Sequence, residues 1–149
     1  MGEIQMKKLE KAINDFNKRI ENGTKYIEYN KNRLSRFELM LTRKLKRIEI
    51  ENNTEFKDEC EEEIRHLKDE IDEIKNIIKI VEANVIVDNF IISDLTTYKE
   101  QKNINDKEID KIVNCQGKSK QEIALVLSSI EENILLTYKY LLNRNSPLL

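Results

Sequence analysis

The sequence has no tryptophan, a single histidine, one proline, three glycines and two cysteines in 149 residues. Each shortage removes a class of protein. With so few chain breakers, a β-fold of many turns has nothing to build its corners from. Cys60 and Cys115 stand in no metal-finger spacing and form no disulfide framework, so a reduced, cytoplasmic (intracellular) protein is expected. No apolar run is long enough to span a bilayer. The richest, residues 77–95, is interrupted by Lys79, Glu82, Asp88 and Asp94, and no membrane partner is expected. The opening MGEIQMKKLE has no apolar core of a secretory signal, and Met6 stands where a myristoylation pattern needs Ser or Thr. Nor is there an excess of one charge. The net value of −2 excludes a chain that is basic throughout, so any nucleic-acid site would have to be local.

What is abundant is charge, 36% of residues, laid over a seven-residue apolar repeat. Met6, Ile13, Ile20, Ile27, Leu34, Leu41 and Ile48 make one series; Ile64, Ile71, Ile78, Val85 and Ile92 make a second. Leu67, Ile74 and Val81 follow the first three of the second series by three residues. A sustained heptad gives a helix one continuous apolar seam, which over that length only another helix can cover. The fold class expected is all-α: a long antiparallel helical hairpin, forming a coiled-coil stalk, with a helical-bundle base completed by C-terminal helices.

The first helix is expected from about Glu3 to Glu51. Asn22-Gly23 is a turn signal inside it, but the heptad phase passes through unchanged from Ile20 to Ile27, so the helix should continue. Asn52-Asn53-Thr54 is the turn, with Asn52 and Glu55 as a capping box opening a second helix that reaches about Tyr98. Val-Ile-Val and Phe-Ile-Ile around Asp88-Asn89 could form a β-hairpin, yet the heptad phase continues there and favours helix. A loop near Gln101–Asn105 precedes a short helix, residues 106–114, boxed by Asn105 and Glu108 and stopped at Gly117. Ser119 and Glu122 then open a final helix of about 24 residues, roughly 36 Å, ending near Asn143.

Two patterns select the same hairpin. Residues 31–47 carry seven Lys or Arg and one Glu, while residues 55–73 carry ten Asp or Glu and three bases. Folding at the Asn-Asn-Thr turn sets these blocks side by side. It also sets Leu34 opposite Ile74, Phe37 opposite Ile71, and Leu41 opposite Leu67. Exposed ion pairs contribute only about 0–1 kcal/mol each, so their use is orientation. Asn30, on the seam opposite Ile78, is an isolated polar residue of the type that fixes register. The apolar stripe is narrow around residues 37–74 and broad over residues 77–95, which implies one neighbour in the first region and several in the second. Hence a single elongated helical domain, residues 1–149, is expected, with a stalk at about 30–76 and a base from about 3–29 and 77–143.

No chemistry converges. Glu63 and His66 are half of a di-iron motif that needs its second half, and His66 is the only histidine. Gly117-Lys118-Ser119 ends like a phosphate-binding loop, but Ile112 occupies the position of the required first glycine. Cys60 and His66, six residues apart, point to different helix faces. No catalytic, cofactor or metal site is therefore assigned. The expected function is a non-enzymatic interaction, scaffold or assembly protein with a protein partner, acting through the arm and the base. The candidate contact residues are Asn52, Asn53 and Thr54 at the tip and Arg33, Arg36, Arg43 and Arg47 in the basic stripe. The base is the expected interface for any homo-oligomer, because the stalk already covers its own seam. The alternative is a nucleic-acid-binding regulator using the 31–47 stripe or the 106–139 helix pair.

Overall fold

The computed structural model describes residues 2–101 and 103–129. Four helices appear in order: α1 (Gly2–Ile50), α2 (Thr54–Lys99), α3 (Asp106–Val113) and α4 (Lys120–Ser128), and there is no strand among the described residues. The chain divides into two compact units, one of Met1–Tyr26 with Ile80–Leu149, the other of Ile27–Lys79.

In the second unit, α1 and α2 run in opposite directions and pack together. Burial follows the repeat closely. Cys60, Ile64, Leu67, Ile71, Ile74 and Ile78 are all buried on α2, alternating four and three residues apart. Opposite them, Ile27, Leu34, Phe37, Leu41, Lys44 and Ile48 are half-buried, and Asn30 is fully buried. Arg33 Nη1 donates to Asn30 Oδ1 at 3.2 Å, so this polar seam residue is not left with a bare carbonyl.

The turn differs by one residue from the sequence reading. Asn53, not Asn52, caps α2: its Oδ1 accepts from the N–H groups of Glu55 (3.0 Å) and Phe56 (3.3 Å). Glu51 completes the corner, its Oε1 accepting from the N–H groups of Asn52 and Asn53 at 3.2 and 3.1 Å. A carboxylate one residue before the turn can reach forward to amides that no helix satisfies, and that leaves the Asn53 side chain for the start of α2.

The first unit has a wider core. Leu9 and Phe16 of α1, Val87, Ile91, Leu95 and Tyr98 of α2, Ile109 and Ile112 of α3, and Ile123 of α4 form one buried cluster. The 84–94 segment is helical throughout; Asn89 Nδ2 even donates to Val85 O, one turn back, at 3.0 Å. Gly23 does not interrupt α1. A Cβ there would lie 3.0 Å from Val85 Cγ2 and 3.6 Å from Val81 Cγ1, so the glycine serves the close approach of α2.

Two expectations for the α3–α4 connection are corrected. Gly117 is not the stop of α3. Cys115 takes the left-handed conformation (φ 64°), with Gln116 N–H donating to Lys111 O (2.7 Å) and Cys115 N–H to Ile112 O (3.1 Å). That is the double bond pattern of a Schellman end, with cysteine in the place glycine usually takes. Ser119 does not cap α4 with its own side chain. Its Oγ donates instead to Asp94 Oδ1 (2.9 Å), and its N–H donates to Asp94 Oδ2 (3.0 Å). Gly117 makes room for that carboxylate, since a Cβ there would lie 2.5 Å from Asp94 Oδ2. Asn105, by contrast, caps α3 as expected, accepting from Glu108 N–H at 3.0 Å.

This contact sets up a double-mutant test. Asp94→Ala should cost about 1–3 kcal/mol in urea unfolding, having stripped two hydrogen bonds from a part-buried site. Gly117→Ala should cost about as much in the parent but distinctly less beside Asp94→Ala, because the 2.5 Å clash with the carboxylate is then gone and only Ile112 Cγ1, at 3.2 Å, remains to give way. Additive losses would mean that the carboxylate is not what the glycine accommodates.

The expected C-terminal part of the last helix, from residue 130 to about Asn143, lies outside the described residues. None of the helices in the described residues is long and apolar enough to cross a membrane.

Candidate interaction surface

On α1 within the second unit, a second stripe runs beside the buried seam. Tyr29, Arg33, Arg36, Met40, Arg43, Arg47 and Ile50 are spaced alternately four and three residues apart, which puts them on one flank of the helix. Tyr29 is 54% exposed, Met40 47% and Ile50 81%. These are large apolar groups left in water although the seam next to them is filled.

The four arginines are held differently. Arg33 bonds Asn30 and lies over the Tyr29 ring at 5.8 Å; Arg47 lies over the Phe56 ring at 4.6 Å. Arg36 and Arg43 are exposed and make no ion pair or hydrogen bond among the described residues. The two charge blocks meet directly between the helices where Lys44 pairs with Glu63. Of the flank arginines, Arg47 reaches across to α2 and Arg33 bonds the seam residue Asn30.

The facing flank of α2 is acidic: Phe56, Glu59, Glu63, His66, Glu70 and Glu73 again alternate three and four apart. Between the flanks lies a groove of about 540 Å³ lined by Phe37, Met40, Lys44, Glu63, His66, Leu67 and Glu70. At the turn, Asn52, Asn53 and Thr54 are exposed. The Asn53 side chain is committed to its cap, leaving the Asn52 and Thr54 side chains as the outward groups of the tip.

The first unit holds the buried charges that the sequence reading did not interpret. Asp88, 3% exposed, lies with its Oδ2 3.3 Å from Arg19 Nε. The Nε–H is not aimed to make a hydrogen bond, so the two interact as charges only. Burial pushes the Asp88 carboxyl up to about 6, against the pull of Arg19. Arg19 also stacks on Phe16 at 5.0 Å. The signal in the sequence is that a carboxylate interrupting the apolar 77–95 run needs a cation on the facing helix, and Arg19 supplies it. Burial, and secondarily Asp88, raise the Cys115 thiol above its ordinary value, which suppresses the nucleophilic thiolate.

A smaller cleft of about 280 Å³ opens beside Asp94, Tyr98, Asn105 and Gly117. The polar side chains of Tyr98, Asn105 and Asp94 in it are already committed. Tyr98 Oη donates to Asn103 O (3.1 Å) and accepts from Asn105 N–H (2.8 Å), while Asp94 holds Ser119. The Gly117-Lys118-Ser119 turn thus surrounds a carboxylate, the opposite of a phosphate site. Among the described residues no group of three His, Cys, Asp or Glu side chains is placed to hold a metal ion. Compared with protein families, with curated proteins and with solved structures, the chain gives no match.

Proposed function

We propose that this is a non-enzymatic interaction protein, a scaffold or assembly factor whose coiled-coil arm, Ile27–Lys79, and helical base each offer helix faces to a protein partner. One observation carries the reading. A helix needs a single apolar stripe to pair with a single neighbour, and α1 has two: the filled seam and the exposed flank of Tyr29, Met40 and Ile50 set among four arginines. Arg, Tyr and Met are the residues that interfaces gather, and Lys, which interfaces shed, is missing from that flank. The exposed tip, Asn52 to Thr54, is the arm's other contact.

The test is to join Asn30 to Asn76 by a short turn, removing the intervening residues. The shortened chain should remain helical and melt cooperatively, yet lose the proteins that co-purify with the full chain from its native cells. Equal recovery of those proteins by both chains would refute a binding role for the arm.

A second reading has one observation behind it: Arg36 and Arg43 are exposed without a carboxylate partner among the described residues. Such a flank could lie along phosphates, making the chain a nucleic-acid-binding regulator. The acidic flank across the groove opposes this, since Glu63 and Glu70 would repel the same phosphates. The 106–139 pair is described only as far as Ser129. Fluorescence anisotropy with a duplex oligonucleotide at two salt concentrations separates the readings; steep loss of tight binding with salt would favour the regulator.

A further inference from the structure

The two flanks of the arm are complementary to each other, and that makes the groove face complementary to a copy of itself. Lys44 pairs with Glu63, which puts Arg43 and Glu63 at about one level along the helix pair. One heptad further from the turn, on both helices, are Arg36 and Glu70, both exposed. Towards the turn, Arg47 touches Phe56 across the same groove. The face thus carries a basic edge on α1, an acidic edge on α2, and an apolar floor of Phe37, Met40 and Leu67 between them.

We infer that a second copy of this chain docks on the groove face of the arm, in a parallel two-fold dimer with both turns at the same end. This rests on reading the arm as an interaction surface and names its partner. Symmetry decides the orientation. A two-fold axis along the arm lays each α1 edge on the partner's α2 edge at the same level, Arg36 against the partner's Glu70 and Arg43 against the partner's Glu63. An axis across the arm would lay α1 on α1 and set arginine against arginine. In the two-fold arrangement every charge contact occurs twice, so complementarity and its loss are both doubled. The floor supplies what the rim charges do not: Met40 comes out of water at the centre, where an adaptable thioether fills an uneven gap well. The filled seam of the stalk is no obstacle, because the surface used is the flank beside it.

Reciprocal charge reversal in the full chain tests this, read by sedimentation velocity at a series of concentrations. The parent should form dimers. Arg36→Glu alone and Glu70→Arg alone should each raise the dissociation constant at least about tenfold, since each places like charges together twice. Mixing the two variants should restore a one-to-one heterodimer to within about threefold of the parent, because both contacts are then opposite in sign. A chain carrying both changes should recover the homodimer. Circular dichroism melts verify that the variants stay helical. Should a reversal unfold the chain, Arg36→Gln takes its place and should weaken association about threefold with helicity unchanged. A parent that is monomeric at every concentration, reversals or neutralisation without effect, or a mixture that fails to rescue would each overturn the dimer. A monomeric parent that still loses its co-purifying proteins on removal of the arm would overturn the dimer alone and leave the interaction role standing. A monomeric parent binding duplex DNA with steep salt dependence would assign the arginine edge to phosphates.

Discussion

Ile71→Asp is expected to melt the helix pair of the second unit, while Glu61→Gln leaves its stability within about 0.5 kcal/mol of the parent. Ile71 is 6% exposed in the middle of an unbroken run of buried α2 residues, between Leu67 and Ile74. A carboxylate there either ionises without a partner or takes up a proton, and both cost several kcal/mol. Two helices have no third element to share the damage. Glu61 is exposed and makes no ion pair among the described residues, so its charge has little to lose. Urea unfolding followed by circular dichroism measures both variants. Similar losses from the two would show that the heptad seam does not carry the pairing.

The second large effect lies in the first unit. Arg19→Leu should destabilise by about 3–5 kcal/mol, because it leaves the Asp88 carboxylate buried and unpaired. Replacing both, Arg19→Leu with Asp88→Leu, should recover most of the loss, since no charge is then left buried. The pair also gives stability a pH dependence of definite sign. The folded-state carboxyl titrates at about 6 against an ordinary value of 3.8, so the folded chain holds a proton that the unfolded chain releases. The resulting stabilisation is complete below about pH 4 and disappears as the pH rises through 6. A shift of about two units corresponds to roughly 3 kcal/mol. The stability of the parent relative to Asp88→Asn should therefore fall by about that amount between pH 4 and pH 7.5. A difference that does not change over this interval would mean that Asp88 titrates normally.

Much of the helical architecture was legible because a heptad is a long-range signal written in single residues. The phase that ran from Ile20 to Ile27 outweighed the local Asn-Gly, and the structure shows why the glycine is there: Val81 and Val85 press against it. The same continuity identified residues 84–94 as helix in spite of their β-branched composition. The errors fell at helix ends, where one residue decides which side chain turns inward. Asn52 and Asn53 are chemically identical, and only the reach of Glu51 selects the second. Ser119 looked like a local cap, but its partner, Asp94, is 25 positions away on another helix, and no local pattern registers that. The surface site was half visible. The arginines were found as a charge count, whereas their alignment with Tyr29, Met40 and Ile50 emerges only when spacing is read for residues outside the seam. Opposite charge brings the helices together without dictating which side chains meet, so the pairing of Lys44 with Glu63 could not be read from the charge blocks alone.

The tight corner at Glu51–Asn53 has a kinetic consequence. Contacts beside it, such as Lys44 with Glu63, close a short loop, whereas Glu10 with Lys99 closes nearly the whole length of both helices. Loop-closure entropy grows with separation, so pairing should begin at the corner and zip outward. The cluster joining Leu9 to Ile123 can form only at the end. During synthesis α1 leaves the ribosome well before any of its partners, carrying both of its apolar stripes uncovered. One is buried when α2 arrives. The other, with Tyr29, Met40 and Ile50, is still exposed after the helix pair has closed.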